Sequence, residues 1–298
     1  MRHLAFGLPM LAAFIALPLI KAEEPKHDYF ITSDGVKIHY MTMGDHGTWV
    51  VLIHGFSDSA QRMFFTTGIA PALAKNHRVV AIDNRNHGLS DKPNPNGSGR
   101  AEDTIELMDH LKIDKAHIHG YSMGGAFTGQ LLAAHPERFI TAVFGGSGIQ
   151  EVDEDLRKKA AAMDTPMPPP QGAQAAAFQH LRERAAAAAG RGNGTTPGAA
   201  PAGSPAASSP RTILQIDLTK ITIPVLAING EYDSPHAKTE RMSRELKNFS
   251  NVILPAKNHV GAIAVGGPMP QQYIDSLVDF IDANDAAMAK GSAPTGGN

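Results

Sequence analysis

Ala116-His117-Ile118-His119-Gly120-Tyr121-Ser122-Met123-Gly124 is the stretch whose reading decides the fold. Its first four residues read as a strand, and the residues from Met123 to His135 read as an amphipathic helix. The join is a G-x-S-x-G pattern, which occurs once in the chain. At a sharp strand-to-helix turn the central serine is held in a strained conformation with its Oγ exposed, and small flanking residues let the backbone close up. The pattern alone is weak evidence in a glycine-rich chain. Its position at such a turn makes Ser122 a candidate nucleophile.

Working outward, the same alternation of strand and helix recurs. Trp49-Val50-Val51-Leu52-Ile53 is a continuous apolar run of the kind buried on both faces of a sheet. Val79-Val80-Ala81-Ile82 and Ile140 to Phe144 have the same character, with helical candidates over Ala60 to Lys75 and Ala101 to Lys112. Before them, Tyr29 to Thr32 and Val36 to Thr42 are joined by Asp34-Gly35, a hairpin signal. After them come Ile223 to Ile228, a helix from Ala237 to Phe249, a strand from Asn251 to Leu254 and a closing helix from Gln271 to Ala283. Two hairpin strands followed by repeated strand–helix units imply a mixed, mostly parallel sheet covered by helices.

Serine needs a base to take its proton. In sheets of this kind the acid and the histidine follow the serine in chain order, on loops past the carboxyl ends of later strands. Asp233, in Gly230-Glu231-Tyr232-Asp233, lies just past the strand ending at Ile228. His259, in Lys257-Asn258-His259, lies just past the strand ending at Leu254. His259 is the expected general base, with Asp233 orienting it and stabilising its cation. His87 follows a strand but precedes Ser122, and Glu231 sits at a less suitable distance; they are the rival base and acid. Developing negative charge on a substrate oxygen would be met by the backbone N–H groups of Met123 and Phe56. His54, Gly55 and Tyr121, beside those donors, are candidate pocket residues. If His259 is the base, the rate should rise with pH between 5 and 8.

Between the two halves the pattern breaks. Helices are expected over Glu151 to Met163 and Ala173 to Ala189, separated by Pro166 and Pro168-Pro169-Pro170. Residues Gly190 to Pro210 offer no apolar side chain larger than alanine, so they cannot offset their ordering entropy and are expected to be disordered. The expected organisation is therefore a core over 27–148 and 211–286, a cap or lid insertion over 149–210 with a low-complexity segment at 185–210, and a flexible tail over 287–298. The first 22 residues stand apart. Arg2 and His3, an apolar run from Leu4 to Ile20 and Lys21-Ala22 form the pattern of an export signal, which implies a periplasmic or secreted protein; an uncleaved membrane anchor is the alternative.

The bulk numbers set limits. The 298 residues are 42% hydrophobic and 19% charged, with a formal net charge of -2. That balance gives no clustered basic face for nucleic acid. The absence of cysteine excludes disulfides, thiolate metal sites and cysteine catalysis. A small-molecule substrate, and no membrane span in the mature chain, are expected.

Taken together, Val51-Leu52-Ile53-His54-Gly55-Phe56, the stretch from Asp83 to Pro93, the Ser122 turn, Gly230 to Asp233 and His259 resemble the α/β-hydrolase superfamily from about His27 to Ala283. The resemblance implies an eight-stranded sheet with one antiparallel strand, no cofactor and no metal. Serine at the turn resembles esterases, carbon–carbon bond hydrolases and cofactor-free perhydrolases; relatives that dehalogenate or open epoxides carry aspartate there. The implied activity is hydrolysis of a carboxylic ester, or a closely related acyl bond, through an acyl-enzyme. A ligand-binding protein on the same scaffold is the alternative of another class. Family members usually carry a helical cap where this chain has 149–210, and its few large apolar residues imply a small, mobile lid over an open site.

Overall fold

The computed structural model describes residues 24–56, 58–94, 97–167, 215–259 and 270–291. The export-signal reading of 1–22, the expected helix over 173–189 and the low-complexity segment lie outside these residues. Eight strands form one sheet: β1 (Lys26–Ile31), β2 (Lys37–Met43), β3 (Trp49–Ile53), β4 (Arg78–Ile82), β5 (Ala116–Tyr121), β6 (Phe139–Gly145), β7 (Val225–Gly230) and β8 (Phe249–Leu254). Their spatial order is β1-β2-β4-β3-β5-β6-β7-β8. β2 pairs antiparallel with both β1 and β4, and every other pairing is parallel. The expected mixed sheet with one antiparallel strand is therefore observed.

Helices cover both faces: α1 (Ile69–Leu73), α2 (Glu102–His110), α3 (Met123–Ala134), α4 (Glu154–Ala162), α5 (Pro235–Glu245) and α6 (Gln271–Ala289). Strand alternation divides the core. Val51 and Ile53 of β3 join Leu107, Leu131 and Met242 of α2, α3 and α5 on one face. Val50 and Leu52 join Phe64, Leu73, Tyr273 and Leu277 on the other. A strand with apolar residues at both parities belongs in the middle of such a sandwich.

Two elements depart from expectation. The helix expected from Ala60 to Lys75 is split. A π-helical turn, Gln61–Phe65, closes with Thr66 N–H donating to the Gln61 carbonyl at 2.9 Å, and Gly68 at φ +92° then breaks the spiral before α1. Only glycine adopts that conformation without strain. At the other end, α6 runs to Ala289 rather than Ala283. Its added turn is alanine-rich, a strong helix former, and Asp285 within it bonds His117 and Thr48 under the sheet. Among the described residues, no helix is long and apolar enough to cross a membrane.

Candidate active site

The turn at Ser122 follows from close approach. A Cβ on Gly120 would fall 2.1 Å from the Gly124 carbonyl oxygen, and one on Gly124 would fall 2.0 Å from that of Ile53. Only glycines let β5 reverse into α3 at this separation. Ser122 takes φ +55° and ψ -110°, and its N–H donates to the Gly145 carbonyl at 2.8 Å, which fixes the strained turn to β6. A bulky conformation of this sort persists only where the surroundings over-determine it.

Three loops at the carboxyl ends of β5, β7 and β8 bring their side chains together. His259 Nε2 lies 2.9 Å from Ser122 Oγ, and His259 Nδ1 lies 2.8 Å from Asp233 Oδ2. The β7 and β8 loops are stitched by backbone bonds: Glu231 N–H donates to Leu254 O at 3.0 Å, and Tyr232 N–H donates to Lys257 O at 2.8 Å. Asp233 is nearly buried, whereas the His259 side chain is partly exposed. With Nδ1–H donating to the carboxylate, Nε2 is left as the acceptor facing the hydroxyl, which is the tautomer a general base requires.

The two rivals lie elsewhere. His87 packs its ring against those of His54 and Phe56, with Nδ1 3.0 Å from the Arg85 carbonyl. Glu231 accepts from Ala256 N–H at 2.8 Å and so braces the turn before His259.

Met123 is the first residue of α3, and the first bond of that helix runs from Ala126 N–H to the Ser122 carbonyl. The amides of Met123 to Gly125 therefore have no acceptor one turn back, as at any helix N-terminus. The second loop lies directly against the nucleophile: a Cβ on Gly55 would be 3.3 Å from Ser122 Cβ. Phe56, next along, is exposed, its ring edge-on to His87 at 5.3 Å between centroids.

Two pocket candidates turn out to be supports rather than walls. The His54 side chain is wholly buried; its Nδ1–H donates to Gly55 O at 2.7 Å, and its Nε2 accepts from Asn84 N–H at 3.0 Å. Burial pushes its pKa down to about 4, against a smaller upward pull from Gly55 O and Asp83, so it is a neutral pin for the 54–56 loop. Tyr121 is 2% exposed, and its hydroxyl donates to the His259 carbonyl at 2.6 Å. Alternation along β5 places it beneath the site, facing α6. Burial, then the neighbouring Tyr273 and Asp233, push its phenol well above the ordinary range, so it stays a donor.

Some contributors were not singled out in the sequence. Lys238 Nζ lies 2.5 Å from Asp233 Oδ1. Asp164 accepts from the N–H groups of His236 and Ala237, at 2.7 and 3.2 Å. Ser234-Pro235 is a helix-start signal that places Lys238 one turn above Asp233, so the first could have been found; nothing in the local pattern marks the second. A cavity of about 350 Å³ opens beside the Phe56 loop, lined by Asp58, Ser59, Arg62, Asn86, His87, Gly88 and Lys92. It holds none of the three converging side chains.

Comparison with known proteins agrees with this architecture. The esterase YbfF of Escherichia coli is 34% identical over 110 residues, 37% of this chain and 41% of that protein. The 2-hydroxy-6-oxo-6-(2'-aminophenyl)hexa-2,4-dienoic acid hydrolase of Metapseudomonas resinovorans is 31% identical over 142 residues, 46% of this chain and 49% of that protein. The chain thus spans less than half the length of these curated relatives. Est816, described as an N-acyl homoserine lactone degrading enzyme, superposes with a TM-score of 0.57 at 25% identity, over 85% of this chain and 100% of that one. A serine hydrolase from Cycloclasticus zankles superposes at 0.60 with 21% identity, over 87% and 99%. The family model described as alpha/beta hydrolase fold matches residues 48–205, more than half of the sequence, and the chain belongs to the α/β-hydrolase family.

Proposed function

We propose that this hydrolase cleaves carboxylic esters through an acyl-enzyme on Ser122. The observation that carries the reading is the unbroken chain from Ser122 Oγ through His259 to Asp233, with both links at 2.8–2.9 Å. His259 Nε2 takes the serine proton as Oγ attacks the acyl carbon. The Met123 and Phe56 N–H groups receive the oxyanion, each donor contributing roughly 3 kcal/mol in such sites. The imidazolium then protonates the leaving alkoxide. A water, deprotonated by the same nitrogen, attacks the acyl-enzyme and releases the acid and the free serine.

The relatives named as an esterase and as a lactone-degrading enzyme support an ester-type bond. The relative named for a carbon–carbon bond substrate supports a second reading on the same three residues. Hydrolysis of p-nitrophenyl esters of graded acyl length separates them. Turnover by the wild type should fall by about 10⁶ in kcat in Ser122→Ala, and the best acyl length sizes the pocket. If no ester turns over, the ester reading is wrong, and a vinylogous diketone is the substrate to try. We further propose that residues 1–22 direct export; fractionation of cells expressing the chain with and without them tests this.

A further inference from the structure

Asp233 divides its two oxygens between partners. Oδ2 faces His259 Nδ1 at 2.8 Å, and Oδ1 faces Lys238 Nζ at 2.5 Å. The Lys238 side chain is 17% exposed and the Asp233 side chain 9%, so solvent screens this pair only weakly. An acid serving a base needs its negative charge and one oxygen toward the imidazole. A cation on the other oxygen does two things: it locks the carboxylate plane, and it opposes the build-up of a second positive charge on His259.

We infer that Lys238 is a positioning residue that sets the pH at which His259 becomes available as a base, acting through Asp233. This rests on the reading of Ser122 as the nucleophile. Three neighbouring charged groups are otherwise engaged. Glu231 is bonded to Ala256 N–H, Asp164 to the first amides of α5, and Arg241 of α5 to Glu245. Tyr121, beneath the ring, is a neutral donor to the His259 carbonyl. His236 and Glu240 share α5 with Lys238, and Lys257 shares the loop with His259. Lys238 is the cation in direct contact with the acid among the described residues.

The sign follows from charge. With Lys238 present, a protonated His259 sits near a carboxylate already half-compensated, and the proton leaves at lower pH. With a neutral residue at 238, the full carboxylate charge holds the proton, and the base becomes free only at higher pH. A role confined to holding the loop would lower the rate at every pH without moving the profile.

The test is the rate of labelling by a fluorophosphonate probe across pH 4.5–9, using the full chain. In that step Ser122 Oγ bonds to phosphorus, the phosphorus–fluorine bond breaks, fluoride leaves and the serine proton passes to His259 Nε2, so no substrate need be known. Wild type and Lys238→Arg should switch on at the same pH. Lys238→Gln, which keeps a donor but not the charge, should switch on about half a unit to one unit higher, with a plateau within about threefold of wild type. Lys238→Met is a second neutral variant should Gln fail to fold, as judged by its thermal midpoint. Superimposed profiles for wild type and the neutral variants would overturn the role of Lys238 alone. Absence of labelling in wild type at all pH values, or labelling that persists in Ser122→Ala, would overturn the nucleophile itself.

Discussion

Tyr121 stands directly before Ser122 in the chain, yet its hydroxyl reaches beneath the site to the carbonyl of His259, 138 residues on. That bond fixes the height of the histidine loop over the serine. Tyr121→Phe removes one oxygen and little volume, so the core should hold, with a loss of about 1 kcal/mol for one hydrogen bond. The His259 loop, freed at one point, should cost more in chemistry than in stability. We expect kcat/KM to fall about tenfold, since small misplacements of reacting groups are expensive, while the thermal midpoint moves by a few degrees. Equal activity in Tyr121→Phe would show that the loop is held by its backbone bonds alone. His54 is the matching pin on the other side: neutral, buried and bonded at both nitrogens, it belongs to the 54–56 loop's framework rather than to a proton path.

The start of α5 shows what an element borrows from distant chain. Its N-cap position, Ser234, is left-handed at φ +49° and its side chain makes no capping bond. Asp164, just past α4, supplies the acceptor instead, with one oxygen on each of two amides. Asp164→Ala should therefore destabilise by about 1 kcal/mol, as loss of a cap does, measurable by urea denaturation. Because α5 carries Lys238, it should also move the onset of labelling toward that of Lys238→Gln; a fall in stability with an unmoved pH profile would uncouple the cap from Asp233. This contact was not legible in sequence, because a carboxylate seventy residues from its helix leaves no local signature. The strands and the Ser122 turn were legible, since continuous apolar runs and forced glycines are local properties. The order serine, acid, histidine followed from that frame. Elements failed where one residue overrides periodicity, as Gly68 does in the split helix, or where long-range bonds extend one, as Asp285 does for α6. Tyr121 lies beneath the site because alternation along β5 decides which face it takes, and the strand runs two residues past the end at His119 read from the sequence.

Polar side chains gather at both ends of the sheet. At the carboxyl end lie the loops of the site; at the amino end, His77 and His117 tie β4 and β5 to Asp282 and Asp285 of α6 at 2.6 and 2.9 Å. Two histidines are sealed in as neutral groups, His119 within β5 and His54 just past the end of β3. Burial takes His119 down to about 4, against a weaker upward pull from Val143 O; its other nitrogen lies 3.2 Å from the Tyr273 hydroxyl. His54 is depressed to about 4 by burial as well. An unfolded histidine titrates near 6.5, so between about pH 6.5 and 4 the unfolded chain binds protons that the folded one refuses, and stability falls as pH falls through that window. The carboxylates act lower still. Asp83 and Asp285 are raised by burial but lowered further by their bonds, to His39 with the Leu89 and Ala60 amides, and to His117 with Thr48, so their contribution is lost only below the usual carboxylate range. The two histidines should each remove roughly 2 kcal/mol of unfolding free energy between pH 7 and pH 5. Urea unfolding at those two values should show a combined loss of about 4 kcal/mol, and His119→Gln, which retains a donor and an acceptor but does not titrate, should halve it. If His119→Gln loses as much stability as wild type over the same interval, the acid sensitivity does not arise at His119.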